Sequence, residues 1–435
     1  MAGEFQSLHL GTVCSKVGSG ATPRGGKEAY RGGATSLIRS QNIYNDRFVH
    51  DGLAFIDNDQ ANELRNVVVE DGDVLLNITG DSVARCCQVD PAVLPARVNQ
   101  HVAIIRPKAE ILDARFLRYS LVSPTMQARL LALASAGATR NALTKGMLEA
   151  LEITAPLLPE QRAIAHILGT LDDKIELNRS RNQTLEAMAR ALFKDWFVDF
   201  GPVRAKMEGR EPCLPADIRQ LFPDRLDDEG KPEGWELIPV NGLASLETSS
   251  ISPSKSPEAV FEHYSIPAFD AGGMPAMELG ESIKSNKYKV HADAVLVSKL
   301  NPQTPRIWLP TVETDHAVCS TEFMQFVPRT RDDRPFLYCL MVSEVMQAEV
   351  LRHVTGSTGS RQRAQPSQIA KVEVLLPEPN ILSAFNCKAE PLLRAIADNQ
   401  LESQTLTKLR DTLLPKLISG ELRIKDADKF LERVA

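Results

Sequence analysis

The residues best suited to chemistry sit in two stretches that lack acid. Between Asp113 and Glu149 the chain carries Arg115, Arg118, Arg129, Arg140 and Lys145, with no Asp or Glu. Between Glu349 and Glu373 it carries Arg352, His353, Arg361, Arg363 and Lys371, again with none. Each stretch holds a run of small residues that leads into arginine. One is Ser135-Ala-Gly-Ala-Thr-Arg-Asn, with Thr139, Arg140 and Asn141; the other is Thr355-Gly-Ser-Thr-Gly-Ser-Arg-Gln-Arg, with Ser360, Arg361 and Arg363. Small residues let backbone N–H groups approach a phosphate, hydroxyls donate to it, and arginine grips a phosphate or the edge of guanine. For a single loop, a solvated surface or a structural turn is the simpler reading. A matched pair favours nucleic acid.

Other polar clusters carry side chains that can pair with base edges. These are Arg39, Gln41 and Asn42 in Arg39-Ser-Gln-Asn, Asn77 in Asn77-Ile-Thr-Gly-Asp-Ser, and Lys299 and Asn301 in Lys299-Leu-Asn-Pro-Gln-Thr. Arg24, in the turn cluster Gly18-Ser-Gly-Ala-Thr-Pro-Arg-Gly-Gly, joins them. Each cluster could equally be a turn whose polar groups satisfy one another. Catalytic motifs are absent from the sequence. It has no GxxxxGK[ST] phosphate loop, no GxSxG, no HExxH and no CxxC pair, and its eight histidines show no ligand spacing. Asn301-Pro302-Gln303-Thr304 resembles the Asn-Pro-Pro-aromatic tetrapeptide of amino-methyltransferases but lacks the second proline and the aromatic residue.

Composition narrows the class. The 435 residues allow two or three domains, and 43% hydrophobic with 24% charged is ordinary for a globular protein. A net charge of −6 argues against indiscriminate coating of nucleic acid, though not against local basic surfaces. Seven scattered cysteines predict reduced, mostly buried thiols. No apolar run approaches a membrane span, and no signal pattern opens the chain, so a cytoplasmic protein with no membrane partner is expected.

The elements that must position these loops are two long helices. From Glu160 to Phe200 the chain has one glycine and no proline, with Pro156 and Pro159 before it and Gly201-Pro202 after it. Ile164, Leu168, Leu171, Ile175, Asn178, Asn182, Leu185, Ala189, Leu192 and Trp196 recur at spacings of four and three. That is the seam of a helix that pairs with another helix, about 50 Å long. Adding 221 gives a second seam: Phe385, Ala389, Leu392, Ile396, Asn399, Ser403, Leu406, Arg410, Leu413 and Leu417. The polar break recurs in place, Asn178-Asn182 being answered by Asn399-Ser403.

The globular parts repeat too. Phe5-Gln-Ser-Leu-His-Leu is answered by Trp235-Glu-Leu-Ile-Pro-Val, and Asp73-Val-Leu-Leu by Asp293-Ala-Val-Leu. Phe116-Leu, Val122-Ser and Met126-Gln-Ala return as Phe336-Leu, Val342-Ser and Met346-Gln-Ala. Leu151-Glu-Ile-Thr-Ala-Pro returns as Val372-Glu-Val-Leu-Leu-Pro. The reading is an α+β chain, internally duplicated as globule, helix, globule, helix. Its parts are a globule at 1–155 with a helix over about 114–134, a long helix at 156–200, a Pro/Gly-rich linker at 201–234, a globule at 235–380, a second long helix at 381–424, and a frayed charged tail at 425–435. The helices are expected to pack as an antiparallel coiled coil, giving pseudo-two-fold symmetry.

Leu158-Pro-Glu-Gln-Arg-Ala-Ile, Leu168 to Asp172, Asn178-Arg and Leu185-Glu-Ala-Met-Ala-Arg-Ala-Leu-Phe-Lys-Asp-Trp-Phe resemble the central region of the specificity subunits of type I restriction–modification systems. Thr22-Pro, Arg39-Ser-Gln-Asn-Ile, Pro232-Glu-Gly-Trp-Glu and Leu413-Leu-Pro-Lys-Leu-Ile-Ser-Gly-Glu-Leu extend the likeness over nearly the whole chain. One departure is Leu376-Pro-Glu-Pro-Asn, which lacks the Pro-Glu-Gln helix start, so the second helix is expected to begin near Ile381. The resemblance implies two target-recognition domains, each reading half of a split, asymmetric sequence in double-stranded DNA. It implies partners as well: two methyltransferase subunits and two motor–endonuclease subunits, with Arg179 and Arg190 on exposed helix faces as docking candidates. No cofactor is then expected in this chain. S-adenosylmethionine, ATP and Mg²⁺ would belong to the partners. A coiled-coil assembly scaffold that does not read DNA, or a self-contained methyltransferase, are the rival readings.

Overall fold

The computed structural model describes residues 5–23, 30, 32–45, 47–136, 141–211, 214–356, 362–424 and 426–434. The chain forms two compact units. Residues 1–177 and 403–435 make the first, and residues 178–402 the second. Each long helix therefore contributes one half to each unit.

In the first unit two four-stranded sheets carry the globule. One orders Cys14–Ser19, Val102–Pro107, Val74–Asn77 and Cys86–Gln88; the other orders Ala54–Ile56, Thr35–Ile38, Ala96–Val98 and Val68–Val69. Val74–Asn77 is buried on both faces. Val74 and Leu76 point into the core shared with the helices, and Leu75 points into the core between the sheets. A continuous apolar strand is what that double burial requires. Gln6–His9 pairs antiparallel with Glu152–Ala155, the strand that leads into the long helix Leu158–Phe197.

The second unit repeats this order. Glu236–Pro239 pairs with Glu373–Leu376 just before the second long helix, Pro379–Ser419. A four-stranded sheet orders Ala244–Glu247, Phe323–Pro328, Val295–Ser298 and Ile307–Trp308, beside a five-stranded one. The repeat runs at 221 through the central strands: Val74 faces Ile105 as Val295 faces Phe326. The expected match of Asp73 with Asp293 is therefore one residue out of register, a slip that would turn every side chain to the wrong face.

The expected single helix over 114–134 is two, Ala114–Val122 and Pro124–Ser135. Proline at 124 cannot sit in a helix interior. Ser123 Oγ donates to Ser120 O, and Gln127 Nε2 donates to Leu121 O at 2.8 Å. Ser343 and Gln347 do the same for Leu340 O and Met341 O. The repeated Val-Ser and Met-Gln pairs are thus the device that closes this break. Leu131, on the second of these helices, is 48% exposed.

Other boundaries move as well. The linker is folded: Gly201–Met207 and Ala216–Leu221 are helical, and Val203, Phe222 and Trp235 are buried. Trp196 meets Phe222 edge-on at 5.0 Å. The second helix starts at Pro379, not Ile381, because proline fits the first turn, where its missing N–H has no partner to lose. The tail forms the helix Ala427–Val434, with the Phe430 ring against His166 at 5.7 Å.

Within each unit the helix halves run antiparallel. In the first, Glu160 takes Arg423 Nη2 at 2.7 Å, and Asp172 takes Arg410 Nη1 at 2.8 Å. Ile164 and Leu168 are fully buried, while Leu171, Ile175, Leu406 and Leu413 are half-buried. In the second, Asn399 Nδ2 donates to Asn182 Oδ1 at 2.8 Å, and Asn178 Nδ2 donates to Glu402 Oε2 at 2.7 Å. Leu185, Leu192, Leu392 and Ile396 are half-buried there. A polar layer within a helix seam gives up stability to fix register.

Asp172 carries the densest load. Its Oδ2 accepts Arg118 Nη1 at 2.6 Å and the Tyr119 hydroxyl at 2.7 Å, while Oδ1 accepts Arg410. Burial opposes its ionisation, but the Arg118 charge and the three hydrogen bonds outweigh that and hold its carboxyl below the usual range. Removing it with Asp172→Ala strands Arg118 in the interior and should cost about 3–5 kcal/mol. Because the folded pKa is depressed, this contribution is complete above the ordinary carboxylate pKa and is lost as pH falls through the folded value. Denaturant melts should show the variant's deficit as full at pH 7 and shrinking as the medium is acidified through that range.

Candidate nucleic-acid interface

The first unit gathers its polar clusters around one open concavity of about 810 Å³. Ser40 and Gln41 line it from one loop, and Thr79, Gly80, Asp81, Ser82 and Arg85 line it from another. Tyr44, His101, Asn141 and Ala142 complete the wall. Backbone bonds set the frame. Leu143 N donates to Ile78 O at 2.8 Å, Gly80 N to Asn141 O at 3.3 Å, and Asn77 N to Arg85 O at 2.8 Å. Gly80 has φ +76°, a conformation that a residue with a Cβ adopts only at a cost.

Asn42 and Asn77, expected to pair with base edges, turn inward instead. Both are fully buried. Asn42 Oδ1 accepts Arg39 N at 3.0 Å, and its Nδ2 donates to Val49 O and Asp51 O. Asn77 Nδ2 donates to Ser40 O at 2.9 Å and to Ser82 Oγ at 3.1 Å, tying the two loops together. These amides hold the frame. Arg39 donates to Gly52 O and lies 5.6 Å over the Tyr30 ring. Gln41 is exposed, its Nε2 3.2 Å from Gly52 O, and Asn141 is exposed.

Arg85 and Tyr44 belong to the site although the sequence reading passed over them. The Arg85 guanidinium lies 4.6 Å over the Tyr44 ring, with Arg47 5.5 Å from the same ring. The stack is placed by a relay from the long helix. Arg118, held by Asp172, donates Nη2 to Asn45 O at 2.7 Å; Asn45 Oδ1 accepts Cys86 N at 3.0 Å. Asn45 follows Tyr44 and Cys86 follows Arg85, so the relay sets the distance between the two stacking partners.

The second unit has the same frame at an offset of 221. Ala364 N donates to Lys299 O at 2.9 Å, Asn301 N to Gln362 O at 3.0 Å, and Ser298 N to Arg306 O at 2.9 Å. Asn301 occupies the position of Gly80 and has φ +50°. The side chains on this frame differ. Arg306, at the position of Arg85, is fastened to Asp270 by bonds of 2.6 and 2.9 Å. Arg363 is held by Glu322, which stands where His101 does. Lys299 is half-buried.

The basic stretches are less available than expected. Arg115 pairs with Asp173 at 3.0 Å and Arg118 with Asp172; Lys145 pairs with Glu149, and Arg352 with Glu349. Their counter-ions lie outside the acid-free windows or at their edges, and folding supplies what the sequence window lacked. Arg24, Thr139, Arg140, Ser360 and Arg361 lie outside the described residues. Among the described residues no cluster of His, Cys, Asp or Glu could hold a metal ion, and no helix is long and apolar enough to cross a membrane.

Residues 3–187 match the family described as the type I restriction modification DNA specificity domain. The chain is also similar along its length to curated specificity subunits. It is 27% identical to the type I restriction enzyme MjaIX specificity subunit of Methanocaldococcus jannaschii, over 94% of this chain and 92% of that one. To the HindI specificity subunit of Haemophilus influenzae it is 25% identical, over 89% and 94%. The likeness to type I specificity subunits thus runs along most of the chain. A crystal structure of the S subunit of a type I restriction–modification system from M. genitalium shares the fold, with a TM-score of 0.58 at 15% identity, covering 95% of this chain and 96% of that one.

The buried amides give a direct check on the assignment of roles in this chain. Asn77→Ala leaves Ser40 O without its donor inside the protein and should cost about 1–3 kcal/mol of stability. Asn141→Ala, on the surface, should stay within about 0.5 kcal/mol. Denaturant melts of the two variants decide whether Asn77 supports the frame or faces outward.

Proposed function

We propose that this chain is the DNA-reading subunit of a type I restriction–modification complex and binds a bipartite, asymmetric target. Each globule reads one half of that target. The observation that carries this reading is the loop frame built twice, with the same backbone bonds and different side chains. Proteins that read two different half-sequences need such a plan: a common way of presenting loops, and separate surfaces for the bases. Arg24, Arg39, Gln41, Thr139, Arg140, Asn141, Lys299, Asn301, Ser360, Arg361 and Arg363 remain the proposed contacts, with phosphate positioning assigned to Arg140 and Arg361.

The chain carries no chemistry of its own in this reading. Methyltransferase and restriction subunits dock on it, with Arg179 and Arg190 among the docking residues, and they hold S-adenosylmethionine, ATP and Mg²⁺. Joining two weak readers in one molecule multiplies their affinities.

Selection from a pool of random duplexes, using the chain co-purified with its methyltransferase subunit, tests this. The expected product is one motif with two unlike defined halves and a constant gap. A complex that retains duplexes without enriching any sequence would mark the chain as an assembly scaffold. On the selected duplex, Arg361→Ala should lower the slope of log K against log salt by about one, as expected when one phosphate contact is lost.

A further inference from the structure

The concavity of the first unit has a chemistry that its counterpart lacks. Arg85 is half-buried, its guanidinium carbon is 4.6 Å from the centre of the Tyr44 ring, and the guanidinium has no hydrogen-bond or carboxylate partner among the described residues. Contact with the ring face restrains a guanidinium without using up its N–H donors. The equivalent Arg306 is closed off by Asp270. One frame position therefore holds an arginine poised to donate in the first unit and one already neutralised in the second.

The neighbours of Arg85 say what it is poised for. Asp81 is exposed and lines the same concavity, with no cation paired to it among the described residues. A free carboxylate beside a phosphate would be repelled, so the concavity is badly made for DNA backbone. Gln41 and Asn141 add exposed carboxamides, which donate and accept. Guanidinium, carboxylate and carboxamide together form the set that reads base edges, and arginine's parallel donors match O6 and N7 of guanine.

Resting on the reading of this chain as a DNA-recognition subunit, we infer that Arg85 is a specificity-determining residue that pairs with a guanine edge in the half-site of the first globule. Tyr44 is its positioning residue. Arg306 is a strut with no part in reading, and the second half-site is read without an arginine at that frame position.

The test repeats the duplex selection with Arg85→Ala, Arg85→Lys and Arg306→Ala, each co-purified with the methyltransferase subunit. Arg85→Lys keeps the charge but cannot pair through two parallel donors. Both Arg85 variants should lose about ten- to a hundred-fold of the discrimination for one G·C pair in one half of the motif, with the other half unchanged. Arg85→Lys should keep more of the overall affinity. Arg306→Ala should leave both halves unchanged in sequence while lowering thermal stability.

An unaltered motif in the Arg85 variants overturns the inference. So does a uniform loss of affinity equal for all sequences, which would make Arg85 a phosphate contact. A changed motif in Arg306→Ala overturns the strut assignment. Failure of the parent chain to select any motif counts against the recognition reading itself, and it is seen before any variant is made.

Discussion

One carboxylate ties the long helices to the loops around the first unit's concavity. Asp172 sits on the first long helix and receives Arg118 and Tyr119 from the globule and Arg410 from the second long helix. Arg118 is 8% exposed, so its charge is tolerable only because Asp172 and the Asn45 carbonyl take up its donors. Asn45 in turn fixes Cys86, and with it the Tyr44–Arg85 stack. The helix pair is therefore more than a spacer. In the first unit its charged face sets the geometry of loops that begin several bonds away.

A repeated frame that carries different side chains has a simple physical basis here. The frame of each repeated loop consists of backbone N–H to backbone carbonyl bonds, which do not depend on residue type: Gly80 to Asn141 in one unit, Asn301 to Gln362 in the other. Side chains above such a frame can change without unfolding it. Two positions constrain that freedom, Gly80 and Asn301, where positive φ favours glycine or asparagine. Elsewhere, on the same frame, the second unit has an ion-paired arginine where the first has a stacked one, and Glu322 where the first has His101.

The long helices were legible because proline and glycine mark their ends and the seam repeats over many turns. The second start was misplaced because Pro379 was treated as a barrier when it is a good first residue. The junctions between globule and helix were legible as repeats because Ser123, Gln127, Ser343 and Gln347 are needed for side-chain bonds that close a helix break. Asn42 and Asn77 were picked for their hydrogen-bonding groups, and those groups are in use, but inward. Sequence shows what a side chain can bond, not which way it faces. Arg85 and Tyr44 stand 41 residues apart and come together only through sheet order, so no local pattern announced them. The constant offset of 221, followed through residues 77–102, would have revealed Arg85 and Arg306 as equivalents.

The central claim is that one frame presents two different readings. The most direct test is the map of methylated adenines across a host genome that holds no other such system, with this chain co-expressed with the proposed methyltransferase subunit. The account predicts a single split motif whose two halves differ in sequence and whose gap is constant. A motif with two identical halves, or methylation confined to one contiguous sequence, would contradict it.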